Sequence, residues 1–366
     1  MTAQRVFVIG ATGTIGQATV RALVRRGHQV VCFVRPQAGV GGKLGAADCV
    51  RLFPGAMVRM GHVTDPLSLA RDGLCGEVFD VLVSCLASRT GAPQDAMAID
   101  YQAHVHALLA ARRAGVRHMV LLSAICVQKP RLAFQHAKLA FERALIASGL
   151  TYSIVRPTAY FKSLSGQVER VKSGRAFLVF GDGMLTACKP ISDDDLGDFL
   201  AGCLSETSRH NRVLPVGGPG PAITPRQQGE ALFALLGQAP RFKQVPVALL
   251  DRIIAVLGWM GRVVPALAAK AELARIGRYY ATESMLVWDA EQGCYDAAAT
   301  PSYGTQNLFD HYRDLLSGAT RSERGDHAVF LGDDPQRAFP SPAHGVSTSK
   351  CMGGFTGRTH RSARWP

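Results

Sequence analysis

The sequence predicts an α/β fold, a doubly wound parallel sheet with helices on both faces and a smaller C-terminal lobe that takes the substrate. Three observations predict it. Short apolar runs alternate with helix-period segments through the first 156 residues. A glycine triplet sits where the first run meets the first helix. Beyond Pro157 the alternation loosens into glycine- and proline-punctuated chain.

Arg5–Gly10 (RVFVIG) reads as the first strand, and Ile15–Arg26 as a helix whose Ile15, Ala18, Val20, Leu23 and Val24 share a buried side. Val30–Arg35 is the second strand and Ala56–Met60 a weaker third. Val78–Cys85 is apolar almost throughout and reads as a fully buried fourth strand. Asp100–Ala114 is helical, His118–Ser123 the fifth strand, Phe134–Ser148 helical and Tyr152–Arg156 the sixth strand. Strict alternation implies parallel pairing, because each crossover needs a helix. Residues 1–160 therefore read as a nucleotide-binding core, 161–318 as a mixed lobe with some segments returning to that core, and 319–366 as a disordered tail rich in Gly, Pro, Ser and Arg.

The 366 residues are 47% hydrophobic and 19% charged, an ordinary globular balance. Nine cysteines without a CxxC pair read as reduced thiols in a cytosolic compartment, with no structural zinc. The first strand begins at Arg5, leaving no room for a secretory signal. Val245–Ala269 is apolar but carries Asp251, Arg252 and Arg262, too interrupted for a membrane span. The formal net charge of +13 favours anionic ligands or surfaces, and no nucleic-acid motif accompanies it.

Gly10-Ala-Thr-Gly13-Thr-Ile-Gly16 has the spacing of a dinucleotide fingerprint at a strand–helix junction, which makes the core Rossmann-type. Gly10 permits the tight turn, Gly13 lets backbone approach a pyrophosphate, and Gly16 lets helix and strand pack closely. Thr12, Thr14 and Ile15 complete the loop whose N–H groups face the phosphates. No Asp or Glu occurs between Val30 and Ala47, where an NAD enzyme places its ribose acceptor. The strand instead ends in Arg35, which suits a 2′-phosphate, so the expected cofactor is NADPH, with Lys43 as a second candidate cation. Ligands in such folds lie at the strand carboxyl ends. Cys85, Leu86 and Ala87, then Ser123, then Pro157, Thr158 and Ala159 are expected to line the cofactor trough.

The glycine spacing and element order resemble the extended or atypical short-chain dehydrogenase/reductase family, which carries a Tyr-x-x-x-Lys pair after the fifth strand. This sequence reads Phe134-Gln-His-Ala-Lys138 there. Lys138 is kept, but phenylalanine cannot donate a proton to an alkoxide. Either the chain is a non-catalytic nucleotide sensor, or its reaction develops no alkoxide, as in hydride addition to a conjugated carbon–carbon double bond.

Longer runs resemble one family within that group. Val83–Arg89, Leu121–Pro130, Tyr152–Ala159, Phe161–Leu164, Phe180–Gly183, Ala187–Ile191 and Ile276–Tyr280 are similar to the NADPH-dependent divinyl chlorophyllide 8-vinyl reductases. Pro215–Gly220 and Thr300–Gly304 extend the likeness into the second lobe, and Phe134 for Tyr belongs to it. The resemblance implies a divinyl magnesium porphyrinoid, chlorophyllide or protochlorophyllide, whose 8-vinyl group becomes ethyl. Hydride would go to the terminal vinyl carbon and a proton to the carbon next to the ring, with Lys138 holding the nicotinamide ribose and Lys162 as a second catalytic candidate. A flat macrocycle wants an apolar slot and a cation for its propionate. Ile125, Phe134, Tyr160 and Phe161 are candidates for the slot, and Lys162, Lys189 or Arg156 for the charge. A small-molecule alkene reductase of another substrate class is the remaining enzymatic alternative.

Other residues read more plainly. His136 reads as a surface histidine, Cys126 as a packing residue, and Asp193–Asp195 as a helix start, since acids favour N-termini. Val247–Val264 reads as a core helix or pocket wall, with peripheral contact to the photosynthetic membrane as the alternative.

Overall fold

The computed structural model of the chain describes residues 2–39 and 42–319. The expected tail therefore lies outside the described residues. The strands are β1 (Arg5–Ile9), β2 (Gln29–Val34), β3 (Met57–Met60), β4 (Val81–Ser84), β5 (His118–Leu122), β6 (Thr151–Pro157), β7 (Phe177–Phe180), β8 (Arg212–Val216) and β9 (Phe242–Val245), followed by the hairpin Val287–Asp289 and Cys294–Asp296. Seven of them form one parallel sheet in the order β3-β2-β1-β4-β5-β6-β8. The order reverses between β1 and β4, which is where a doubly wound sheet opens a ligand crevice.

Alternation along β1 builds a core on each face. Val6 and Val8 pack with Ile15, Val20 and Leu23 of the Thr14–Arg25 helix, while Phe7 and Ile9 pack with Phe79 and Phe141 on the other side. All of these are close to fully buried, each contributing roughly 1.5–3 kcal/mol of transfer energy.

The six expected strands are present, with ends shifted by up to three residues. Two features differ from expectation. The Asp100–Ala114 segment opens with a wide i→i+5 turn, Met97–Ala103, before the regular helix His104–Arg113, and this turn swings Asp100 into the core at 1% exposure. The seventh strand, β8, hides in the sequence because it opens on an exposed Arg212 and holds Pro215; as the sheet's edge strand it tolerates proline.

The chain also returns to the core through the helix Asp193–Gly202, which packs on the Thr14–Arg25 helix so closely that a Cβ on Gly197 would meet the Ala18 carbonyl carbon at 2.6 Å. Ion pairs Arg21–Asp194 (2.7 Å) and Arg26–Asp198 (2.8 Å) flank that contact. The acidic run does begin a helix, with the Ser192 hydroxyl accepting from the Asp195 N–H at 3.0 Å. A third apolar cluster, including Phe161, Val179, Phe233, Tyr279 and Tyr312, forms the interior of the second lobe, around the parallel pair β7–β9.

Candidate functional site

The glycine turn is built as a phosphate cradle. Gly10 has φ +74°, and a Cβ there would lie 2.4 Å from the Cys85 carbonyl carbon. At Gly16 a Cβ would lie 2.2 Å from the Gly10 carbonyl oxygen, so helix and strand meet at van der Waals limits. Gly13 differs: it is exposed, and the nearest atom to an added Cβ is 3.6 Å away. It caps the Thr14–Arg25 helix without any side-chain hydrogen bond, and no acid occupies the first turn. Free N–H groups and the positive helix end therefore point into open space, the arrangement that receives a pyrophosphate. Arg35 follows β2 at the carboxyl edge and is exposed, as is Lys43 beyond it. Arg89 reaches across from the loop after β4 to the Gly39 carbonyl at 2.5 Å, tying the two loops that border this end of the crevice. The loop after β4 presents Cys85 and Leu86 half-buried and Ala87 exposed at the crevice.

Lys138 lies on the Ala133–Ile146 helix, with its ammonium 2.9 Å from Asp100 Oδ1. Asp100 is buried, its Oδ1 also accepts from the Ser88 N–H at 3.2 Å, and its Oδ2 has no hydrogen-bond partner among the described residues. His104 bonds Ser84 Oγ (2.8 Å) and the Ile99 carbonyl (2.9 Å), and burial, then the Lys138 charge, push it down to about 4. The imidazole is thus neutral at pH 7, and Lys138 is held by one anion. One turn on, Glu142 points the same way. It accepts from Ser123 Oγ at 2.5 Å and is clasped on both oxygens by Arg156.

That clasp corrects one expectation: Arg156 is committed to a buried carboxylate and cannot also serve a propionate. The Ser123 hydroxyl is likewise turned toward Glu142, leaving only its backbone near the trough. Lys189 is corrected as well. Its ammonium binds the Thr300 carbonyl at 2.8 Å and Ser302 Oγ at 3.3 Å, while its carbonyl accepts from the Thr158 hydroxyl. A loop carbonyl so far along the chain needs a local donor, and Lys189 supplies it. Pro157 and Thr158 are buried where β6 meets this segment, and Ala159 accepts from the Ile191 N–H at 2.9 Å.

Lys162 is half-buried and lies near Asp193. Burial pushes the Asp193 carboxyl up to about 6, offset in part by the Lys162 charge, and Asp193 Oδ1 is enclosed without a hydrogen-bond partner among the described residues. Of the proposed slot, Ile125 and Phe161 are 2% and 4% exposed and fill the lobe's interior, so they stand behind the wall rather than on it. Tyr160 and Phe134 remain partly open. Phe134 packs beside Gly91 and Ile276, where a Gly91 Cβ would meet Ile276 Cδ1 at 2.9 Å and Phe134 Cδ1 at 3.4 Å. His136 is exposed, as the sequence suggested.

An open cleft runs from β7 to the Pro265–Thr282 helix, with Leu164, Val179, Leu185 and Tyr280 among its walls. Sequence reasoning named neither Tyr280 nor Asp100, Glu142 and Asp193 as site residues. The spacing Lys138–Glu142, one helical turn, was the available signal for Glu142; nothing local marks the others.

Comparison with known proteins agrees with this geometry. Residues 10–207 match the family described as NAD(P)H-binding. The NADPH complex of a quinone oxidoreductase from Escherichia coli superposes with a TM-score of 0.60, covering 86% of this chain and 99% of that one at 19% identity. The leucoanthocyanidin reductase–NADPH complex of Vitis vinifera gives 0.61 at 14% identity, covering 86% and 99%. At the sequence level, the chloroplastic divinyl chlorophyllide a 8-vinyl-reductase of Oryza sativa subsp. indica is 49% identical over 331 residues, 89% of this chain and 82% of that protein. Its namesake in Arabidopsis thaliana is 47% identical, covering 88% and 79%. Identity near one half over nearly nine-tenths of the chain places it in the divinyl chlorophyllide a 8-vinyl-reductase family, with NADPH as its cofactor.

Proposed function

We infer that the chain reduces the 8-vinyl group of divinyl chlorophyllide to an ethyl group at the expense of NADPH. The observation that carries this reading is the near-half identity across both lobes, since a nucleotide-binding core alone would leave the substrate open. The cradle at Gly10–Gly16 fits the cofactor, because Gly13, unlike Gly10 and Gly16, has open space in front of it. NADPH supplies a hydride when bound. The chain's part is to orient and to exclude water. Lys138, held by Asp100, fixes positive charge beside the nicotinamide ribose, and Phe134 offers an apolar ring where a ketone reductase has its phenol. Tyr160 borders the slot and Lys162 is the cation left for the pigment's carboxylate, since Lys189 and Arg156 are engaged elsewhere. Incubating purified protein with divinyl chlorophyllide and NADPH should shift the Soret band to the blue as one vinyl leaves conjugation. An unshifted band, or a shift that occurs without NADPH, would overturn the assignment.

The structure also favours a peripheral contact with an anionic membrane surface. The helix Val247–Met260, read from sequence as a core wall, buries only Leu250. Val256, Trp259 and Val263 are 56%, 70% and 84% exposed, and Leu249 and Ile253 continue the stripe. Exposed Arg252, Arg262 and Lys270 border it, the pattern of a helix lying at a lipid interface. No helix among the described residues is long and apolar enough to cross a membrane. The protein should sediment with phosphatidylglycerol vesicles at low salt, and Trp259→Ala with Val263→Asp should lose most of that binding. Wild-type protein left in the supernatant at low salt would end the idea.

A further inference from the structure

Adding hydride to a vinyl group leaves a carbanion to be protonated, and Phe134 has removed the usual acid. The Pro265–Thr282 helix carries a phenol within about one turn of that ring. Ile276 sits beside Phe134 and Gly91, and Tyr280, one turn further on the same face, lines the cleft. The Tyr280 hydroxyl lies 3.8 Å from the Cys126 thiol, its one hydrogen-bond partner among the described residues. Either group can be the donor in this long contact, and when the thiol donates the phenol O–H is free for a ligand. Its neighbour shows the contrast: Tyr279 is 4% exposed and gives its hydroxyl to the Cys126 and Lys129 carbonyls at 2.9 and 3.1 Å. Tyr279 therefore anchors the helix against the turn after β5, and that anchor sets where Tyr280 stands. Tyr280 is 45% exposed and lines the cleft.

We propose that Tyr280 is the acid that protonates the reduced vinyl group, in place of the phenol absent at Phe134. The proposal rests on the 8-vinyl reductase reading. Two electrons arrive with the hydride as NADPH is oxidised to NADP⁺. The O–H bond of Tyr280 breaks, a C–H bond forms at the vinyl carbon that did not receive hydride, and the phenolate regains a proton from water in the cleft.

Tyr280→Phe keeps the ring and the cleft wall. Its kcat should fall by about 100-fold, the low end for loss of a general acid, with KM within about 3-fold of wild type. A second variant replaces Tyr280 with 3-fluorotyrosine, a near-isosteric and more acidic phenol. The alkaline limb of its kcat profile should move to lower pH. Its fluorine resonance should also shift when divinyl chlorophyllide is added without NADPH, which reports contact independently of turnover. An active wild type with an equally active Tyr280→Phe, an unmoved alkaline limb, or a resonance insensitive to pigment overturns this proposal alone. A wild-type chain that leaves the vinyl group intact overturns it together with the reading beneath it.

Discussion

Gly13→Asp is expected to abolish NADPH retention while leaving the unliganded protein as stable as wild type, or more stable by a few tenths of a kcal/mol. Aspartate is a better N-cap than glycine, and the space around Gly13 admits a side chain. The same carboxylate would stand where the pyrophosphate belongs, and like charges so close cost several kcal/mol. Nicotinamide fluorescence titration should show Kd raised by at least about 100-fold, equivalent to about 2.7 kcal/mol. A melting curve without ligand supplies the control. Retained NADPH affinity would place the cofactor elsewhere. Neither flanking glycine offers so clean a separation, because a Cβ at Gly10 or Gly16 collides with backbone and would damage the fold itself.

Lys138→Met should lower turnover by about 100-fold or more and also destabilise the protein by about 3–5 kcal/mol, because it strands the buried Asp100 carboxylate. The two losses are separable. Adding Asp100→Asn removes the uncompensated charge, so the double variant should recover most of the stability in urea melts but none of the turnover. Recovery of both would make Lys138 a structural ion-pair partner and remove it from the mechanism.

Much of this was readable from the chain. Strands buried on both faces, such as Val81–Ser84, announce themselves by unbroken apolarity, and the glycine turn by its spacing. The cofactor side of the site follows from those two signals, because the fold rule places ligands at the strand ends. What escaped were groups whose role is created by long-range contact. Asp100 looks like any acid on a helix until a wide turn rotates it toward Lys138. Lys189 and Arg156 looked like cations for a carboxylate until the fold supplied Thr300 and Glu142 as partners. The Val247–Met260 helix failed for a different reason: an apolar stripe has the same periodicity whether it faces a core or an interface.

The placement of β8 beside β6 bears on how such a protein could have been assembled. The excursion that builds the cleft leaves the sheet after Pro157 and re-enters it at Arg212, having laid Asp193–Gly202 across the first helix on the way. The second lobe is thus stitched through the nucleotide-binding core at several points, and neither half is a cassette. Severed after β6, the front portion would expose a raw row of backbone donors and acceptors and a bare apolar helix flank, an invitation to aggregate. A lobe exchanged between relatives would have to bring matching surfaces for the β6 edge and for the Thr14–Arg25 helix.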